Sequence, residues 1–524
     1  MGTTTEMIKK IIKTIFFILI ISNIILASRW VFDGNIFFHT DIARDFLLME
    51  DIVDNNHVTL IGPRSGAIPG LFHGPLWLYS NIPAFVLGQG DPVVVGWFWV
   101  FFYTLSVYIA YLIGNKMFGE TEGLLSALLL SVVTVLQVRS LFNPYGALLL
   151  FPLFFYVLTV YLRKKDIKIL LLSLFLVGLI IQFQMAFGVP ILILSFFYLL
   201  YFFFKNKIFS HLFSFFILLI PLSSFLLFDV RNNFLQLNSV ISYIGGQQSH
   251  GKLDLNFFQL VVLRIKESVV DGFGVITQGN LYLSISILLL FIFAVYLNIK
   301  RKRDLLNLNL FLYFYFGFWF MTIFFKGPVW NYYFIPFIPL LILMLVSLKN
   351  YLNKFLFYFL FTLIYIVNFQ TNIKDLSSYN INAYEQDVST WKFNKLAAEE
   401  VFKGEEKEFG YFIFTPDLYG YSPRFALNYF QKRNPERSVF PYEKKAVTYL
   451  VIAPPPEYGR DPNSLWYQKN TNSSSWKAND IRIDRNPNQV INFKNGFVVE
   501  KYLLTEEELK STPNPNLIKD IFFR

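Results

Sequence analysis

The stretch His39-Thr40-Asp41-Ile42-Ala43-Arg44-Asp45 governs how this chain reads, because it sets carboxylates just past the first long apolar run. Asp41 and Asp45 are four apart, so a helix here places both on one face with Arg44 beside them. Periodicity predicts that helix from Thr40 to Val53, with Ile42, Phe46, Met49 and Val53 on a common apolar face. Carboxylates at the lip of a bilayer are costly to desolvate and mark a working site.

The surrounding chain has the composition of an integral membrane protein. Its 524 residues are 54% hydrophobic, 19% aromatic and 16% charged, whereas soluble domains carry roughly 25% charge. Uncharged runs such as Val93 to Ile113 and Leu281 to Leu297 approach the ~20 residues that cross a hydrocarbon core. Hydropathy predicts about eleven spans, near 12–32, 92–114, 122–138, 146–162, 167–184, 187–204, 209–228, 281–298, 306–325, 331–348 and 353–369. The segment 74–90, with Pro75, Pro83 and Gly88, is apolar but short and broken, and reads as re-entrant or interfacial.

With a cytoplasmic N-terminus, basic clusters fall on every second connection: Lys9/Lys10/Lys13, Lys116, Arg163/Lys164/Lys165/Lys168, Lys205/Lys207, Lys300/Arg301/Lys302/Arg303 and Lys349/Lys354. The net charge of +10 is thus an orientation signal and not a nucleic-acid footprint. The first span is expected to be an uncleaved anchor. The absence of cysteine excludes disulfides, thiol catalysis and a thiolate metal site.

The expected organisation is a transmembrane catalytic domain, 1–369, and a C-terminal extracytoplasmic α/β domain, 370–524. Outer connections span 33–91 and 229–280. The second contains Gly245-Gly246-Gln247-Gln248 and an amphipathic helix from about Phe257 to Val270. In the tail a helix is predicted at Trp391–Phe402, and strands at Phe409–Thr415, Ala446–Ile452 and Gly496–Leu503. Pro454-Pro455-Pro456 and Asn470 to Ser475 read as loops.

Asp41 is the candidate general base, able to take a proton from an acceptor hydroxyl or amine. Asp45 is either a second acid or a solvated surface charge, and Arg44 either pairs with an aspartate or holds an anion. A base at the outer surface suits a substrate whose leaving group is a lipid phosphate, whose developing charge fixed cations stabilise. Arg139, Arg231, Arg264, Lys266 and Lys326 are the candidate cations. Singly each reads as a headgroup anchor, and together they read as a phosphate site. His73 reads as a ligand contact or as a residue bonded to local backbone. Tyr332, in Trp330-Asn331-Tyr332-Tyr333, reads as aromatic belt or as a sugar platform. Gln182 and Gln184 read as interhelical hydrogen-bond partners.

The layout and three motifs resemble the GT-C membrane glycosyltransferase superfamily, of the protein O-mannosyltransferase and aminoarabinose transferase type. The matching residues are Asp41-Ile42-Ala43-Arg44-Asp45, His73-Gly74-Pro75-Leu76 and Gly114-Asn115-Lys116-Met117-Phe118-Gly119. The resemblance implies a polytopic α-helical fold with a C-terminal soluble α/β domain. It implies transfer of a sugar, with inversion, from a polyprenyl-phosphate donor to a glycan, lipid or protein acceptor, with Asp41 in the place of the catalytic aspartate. The chain departs from the pattern at Ile42, where many members carry Glu, and at Asn143 in Arg139-Ser140-Leu141-Phe142-Asn143-Pro144, where an acid is expected. These departures leave a divalent cation an open question. Asn143 either orients a sugar hydroxyl or caps the helix beginning at Pro144. The rival readings are a transporter or lipid flippase, disfavoured by spans almost free of charge, and a scaffold whose tail binds a partner.

Overall fold

The computed structural model describes residues 2–65, 68–245, 253–300, 305–378, 387–416, 419–454 and 473–519. Gly246-Gln247-Gln248, the basic residues Arg301-Lys302-Arg303, Pro455-Pro456 and Asn470 to Thr471 and Asn472 lie outside the described residues. The chain forms two compact units that do not follow chain order. One comprises residues 1–29, 58–80 and 97–377, and the other residues 30–57, 81–96 and 378–524.

The first unit is helical. Each of the eleven apolar windows carries a helix, though fewer reach full crossing length by themselves. Among the described residues six helices are long and apolar enough to cross a membrane, and up to eight if each of two bent pairs is one span. Glu120–Val133, Ile167–Phe183 and Leu306–Thr322 have only 14, 17 and 17 residues, short of the ~20 that a straight crossing needs. The window 209–228 is two pieces, Phe209–Leu219 and Ser223–Arg231, bent by 63°. Pro221, with no N–H to donate, lies in the break. Phe257–Thr277 and Leu281–Leu297 meet at 101°, across Gln278 and Gly279, both at positive φ. Leu76–Leu87, with Pro83 inside, is a 12-residue helix, about 18 Å long and too short to span.

Two other features fix this unit's framework. Arg264 is 1% exposed and spends its guanidinium on the carbonyls of Thr322, Phe325 and Gly327 and on Glu267 Oε2. The Gly74 backbone passes so close to Gln182 that a Cβ there would lie 2.0 Å from Oε1 and 2.7 Å from the backbone oxygen. Side-chain rotation relieves the first clash but not the second. Gly74→Ala is therefore expected to lower the unfolding temperature, with a cost of about 1–3 kcal/mol. An alanine variant as heat-stable as wild type would show that the segment can move aside.

The second unit is built on a five-stranded sheet of order β2-β1-β3-β5-β4. The strands are β1 (Glu408–Phe414), β2 (Ser438–Pro441), β3 (Val447–Ile452), β4 (Gln489–Asn492) and β5 (Val498–Leu503). β1 pairs parallel with β2 and β3, while β5 runs antiparallel to β3 and to β4. β1 is buried from Phe409 through Phe414, as expected of a central strand covered on both faces. Helices Trp391–Phe402 and Tyr421–Arg433 pack on each other, and Trp391–Phe402 matches its sequence expectation residue for residue.

The helix from the first loop belongs to this second unit. It runs from Thr40 to Asp54 and packs on Tyr421–Arg433. Phe46 meets Phe38, Phe85 and Phe425 edge-on. Of the four face residues, Ile42, Phe46 and Met49 are buried and Val53 is half-buried. At the far end Glu50 accepts from Asn428 Nδ2 at 2.8 Å and pairs with Lys432 at 2.9 Å, which also reaches Asp54 at 2.6 Å. Ser422 Oγ donates to the Phe38 carbonyl at 2.6 Å, tying down the chain two residues before the helix.

Candidate active site

His39 opens the Thr40–Asp54 helix: its Nδ1 accepts the Asp41 N–H at 3.3 Å. That bond needs an unprotonated ring nitrogen. Burial holds the His39 pKa below its ordinary value, with Asp41 pulling it up and Arg44 pushing it down. One turn on, Arg44 Nη1 donates to Asp41 Oδ1 at 2.8 Å, and Nε and Nη2 donate to Asp45 Oδ1 at 3.0 and 2.9 Å. The two carboxylates are unlike. Asp41 is 43% exposed, while Asp45 is 4% exposed and Arg44 13%. The surface-charge reading of Asp45 is thereby replaced: the apolar packing of the helix carries it inward, where Arg44 grips one oxygen and Oδ2 is buried without a hydrogen bond among the described residues.

Burial raises Asp45 to about 6, against the downward pull of Arg44 and with help from the like charge of Asp41. Arg44 feels burial in the opposite sense, yet its pKa is raised because it meets two carboxylates. It stays charged, and Asp45 carries the strain of the cluster. A buried acid raised above its unfolded value of 3.8 stabilises the fold fully below that pH, and the contribution is lost as pH rises through about 6. The unfolding temperature of Asp45→Asn relative to wild type is therefore expected to rise between pH 5 and 7.5. A difference that does not change with pH would contradict the raised value.

In the helical unit a second cluster gathers around the break between Ile167–Phe183 and Met185–Asn206. Asn143 Nδ2 donates to the Phe183 carbonyl and to Gln184 Oε1, both at 2.9 Å. Asn143 does not cap the Pro144 helix with its side chain: its own backbone is already helical (φ −46°, ψ −37°), and its amide is turned to these two acceptors. Gln182 Nε2 donates to the Pro221 carbonyl at 2.6 Å and to Ser224 Oγ at 2.9 Å, bearing out the interhelical roles of both glutamines. Gln184 Nε2 is buried and has no hydrogen-bond partner among the described residues. That unspent donor was missed by sequence reasoning, and a Gln read only as helix glue gives no signal of it.

The other candidates are placed as follows. Half-buried His73 exchanges backbone hydrogen bonds with Pro63 and Gly62 at 2.9 and 2.8 Å. Tyr332 packs edge-on against Phe142, with ring centres 5.4 Å apart, and lies parallel to Trp330. This brings Tyr332 to the loop that carries Asn143. Arg139 is ion-paired with Asp375 at 3.6 Å. Arg264 is withdrawn as a phosphate contact, since its donors already serve three carbonyls and Glu267. Arg231, Lys266 and Lys326 are exposed. Among the described residues no group of three or more His, Asp or Glu gathers as metal ligands. Asp41 and Asp45 both turn an oxygen to Arg44, so this donor set does not fit a resident divalent cation.

The chain has one unit with apolar helices of membrane-crossing length and another with a small mixed sheet, and its fold is that of the solved ArnT structures. It is a multi-pass membrane protein. Among solved structures it is similar to ArnT, the aminoarabinose transferase, from Cupriavidus metallidurans. The apo structure aligns with TM-score 0.58 at 11% identity over 93% of this chain and 98% of that one. The structure bound to undecaprenyl phosphate gives 0.58 at 10% identity over 96% and 99%. The oligosaccharyltransferase of Archaeoglobus fulgidus, in complex with zinc and sulfate, is fainter, at 0.45 and 12% over 80% and 62%. No protein-family model and no curated protein sequence matches the chain.

Proposed function

We propose that this chain is a glycosyltransferase that moves a sugar from a polyprenyl-phosphate-linked donor to an acceptor at the extracytoplasmic membrane face. The observation that carries this reading is the Asp41–Arg44–Asp45 arrangement: a half-exposed carboxylate fixed by a buried ion pair at the start of a helix. The ArnT structure that holds undecaprenyl phosphate supports the lipid class of the donor. Basic residues on alternate connections support the outward orientation of the first loop.

In the proposed step the acceptor oxygen or nitrogen attacks the anomeric carbon while the carbon–oxygen bond to phosphate breaks. Asp41 takes the acceptor's proton, and polyprenyl phosphate leaves with the bonding pair. Arg44 is a positioning residue here, because its bonds to Asp41 and Asp45 hold the base in place. Within the helical unit, Gln184 Nε2 and the face of Tyr332 are proposed as sugar or phosphate contacts, with Asn143 orienting the glutamine. Exposed Arg231 and Lys326 are proposed to offset phosphate charge.

Comparison of envelope glycans and glycolipids between cells with and without the chain tests the reading. Its loss is expected to remove one sugar from one acceptor class and to let the polyprenyl-phosphate sugar accumulate. Identical glycans and donor pools in both would count against it.

A further inference from the structure

The loop that leaves β1 carries an aromatic pair that the proposed chemistry does not use. Tyr419 and Tyr421 stack with ring centres 4.9 Å apart and planes inclined by 18°. Gly420 makes the turn between them at φ +58°, a conformation that side chains with a Cβ rarely adopt. A Cβ there would also lie 2.8 Å from Ile413 Cγ2, so the turn sits directly on β1. Tyr421 is buried and Tyr419 half-buried. One face of Tyr419 rests on Tyr421, and what it offers to a ligand is the rest of its ring.

The fold sets this pair beside the candidate base, within the α/β unit. Helix Tyr421–Arg433 runs alongside Thr40–Asp54 in the same direction. Ser422 bonds to Phe38, Phe425 packs on Phe46, Asn428 bonds to Glu50, and Lys432 pairs with Asp54. That order puts Tyr421 level with the first turn, which holds Asp41 and Arg44. Burial works against the Arg44 charge, and Tyr421 adds to the pull of Asp45 and Asp41 that maintains it. The sheet points to the same place. From β1 the chain crosses to β2 on one side, whereas from β3, on the other side, it moves away to β4 and β5. Ligands of open parallel sheets gather outside the carboxyl ends of strands whose connections diverge in this way. The Tyr419–Tyr421 loop follows the carboxyl end of β1.

We propose that Tyr419, backed by Tyr421, is the platform on which the acceptor docks, and that the acceptor is a saccharide. This rests on the glycosyltransferase reading and names the acceptor class of the same site. The face of an aromatic ring is electron-rich, and one face of a pyranose presents polarised C–H bonds to it. The hydroxyls on the pyranose rim need hydrogen-bond acceptors, which the half-exposed Asp41 carboxylate supplies. One of those hydroxyls gives its proton to Asp41 as its oxygen bonds to the anomeric carbon of the donor sugar, and polyprenyl phosphate leaves with the bonding pair. A serine or threonine side chain has no such face to stack. A protonated amine, though drawn to an aromatic ring, has no lone pair with which to attack.

The test uses the full-length protein in lipid nanodiscs. In saturation-transfer NMR without donor, the probes are the methyl glycosides of glucose, galactose, mannose and N-acetylglucosamine, with N-acetyl-serinamide and ethanolamine for comparison. Wild type is expected to saturate the ring C–H protons of at least one glycoside and to leave the comparison compounds unsaturated. Tyr419→Ala is expected to weaken that glycoside about tenfold, and Tyr419→Phe, which keeps the ring, to retain it. Leu503→Ala, an exposed apolar change on β5, is expected to bind as wild type does. In transfer from labelled lipid-linked sugar to envelope material, Tyr419→Ala is expected to raise the acceptor KM by a similar factor and to leave the donor KM as it is. No saturation of any glycoside, or equal losses in Tyr419→Ala and Leu503→Ala, would overturn the proposal. Label recovered on protein or on a lipid amine would overturn the saccharide assignment and leave the transferase reading standing. Label that never leaves the donor would overturn both.

Discussion

Asp41→Asn is expected to slow sugar transfer by about 10²–10⁴-fold, the usual contribution of a general base, while donor binding stays near wild type. The amide keeps the shape of the carboxylate and can still accept from Arg44 Nη1, so the helix start and the Arg44–Asp45 pair are retained. What is lost is the ability to accept the acceptor's proton. Arg44→Lys separates positioning from chemistry. Lysine keeps the charge but cannot grip Asp41 and Asp45 together through a planar fork, so it is expected to give an intermediate loss. Steady-state transfer by Asp41→Asn in vesicles, with labelled lipid-linked sugar, measures this. Transfer at the wild-type rate would remove Asp41 from the mechanism.

The largest expected effect on stability comes from Arg264→Met. Arg264 is buried, and its removal leaves the carbonyls of Thr322, Phe325 and Gly327 without its donors and Glu267 without its cation. Breaking a buried pair from one side costs about 3–5 kcal/mol. Adding Glu267→Gln is expected to recover part of the loss by removing the stranded charge. Lys266→Met, an exposed neighbour on the same helix, is expected to stay within about 0.5 kcal/mol of wild type. Tryptophan fluorescence during thermal unfolding in detergent resolves the three. The clasp also fixes the backbone on either side of Lys326, so Arg264→Met is expected to weaken phosphate binding as well. An Arg264→Met protein as stable as Lys266→Met would show that these bonds are not structural.

Much of the scaffold was legible in the sequence. The Thr40–Asp54 helix follows from the spacing of Ile42, Phe46 and Met49, and the three longer strands follow from runs rich in β-branched and aromatic residues. β2 and β4 went unread because four-residue edge strands are too short to show alternation. Helix Tyr421–Arg433 carries Pro423 in its first turn, where proline is tolerated although it interrupts the pattern. Hydropathy found every apolar window but not the bends at Pro221 and at Gln278–Gly279, since mean apolarity does not register backbone direction.

The site was legible in part. The sequence placed Asp41, Arg44 and Asp45 together because one helical turn does so. It did not reveal which carboxylate is buried, a property set by packing on residues nearly 400 positions away in the chain. Asn143 before Pro144 reads locally as a cap, but the Phe183 carbonyl and Gln184, some 40 residues on, claim its amide. The Arg264 clasp was hidden for the same reason, since backbone carbonyls about 60 residues distant leave no mark in the residue types.

The most direct test uses a donor labelled twice, with tritium in the sugar and ³²P in the polyprenyl phosphate, given to the purified protein in vesicles with envelope acceptor material. Glycosyl transfer predicts that the labels part, tritium passing to the acceptor while ³²P stays in lipid as free polyprenyl phosphate, in equal amounts. Labels that remain joined, or a donor that crosses the bilayer intact, would mean that the protein moves its lipid without breaking the sugar–phosphate bond.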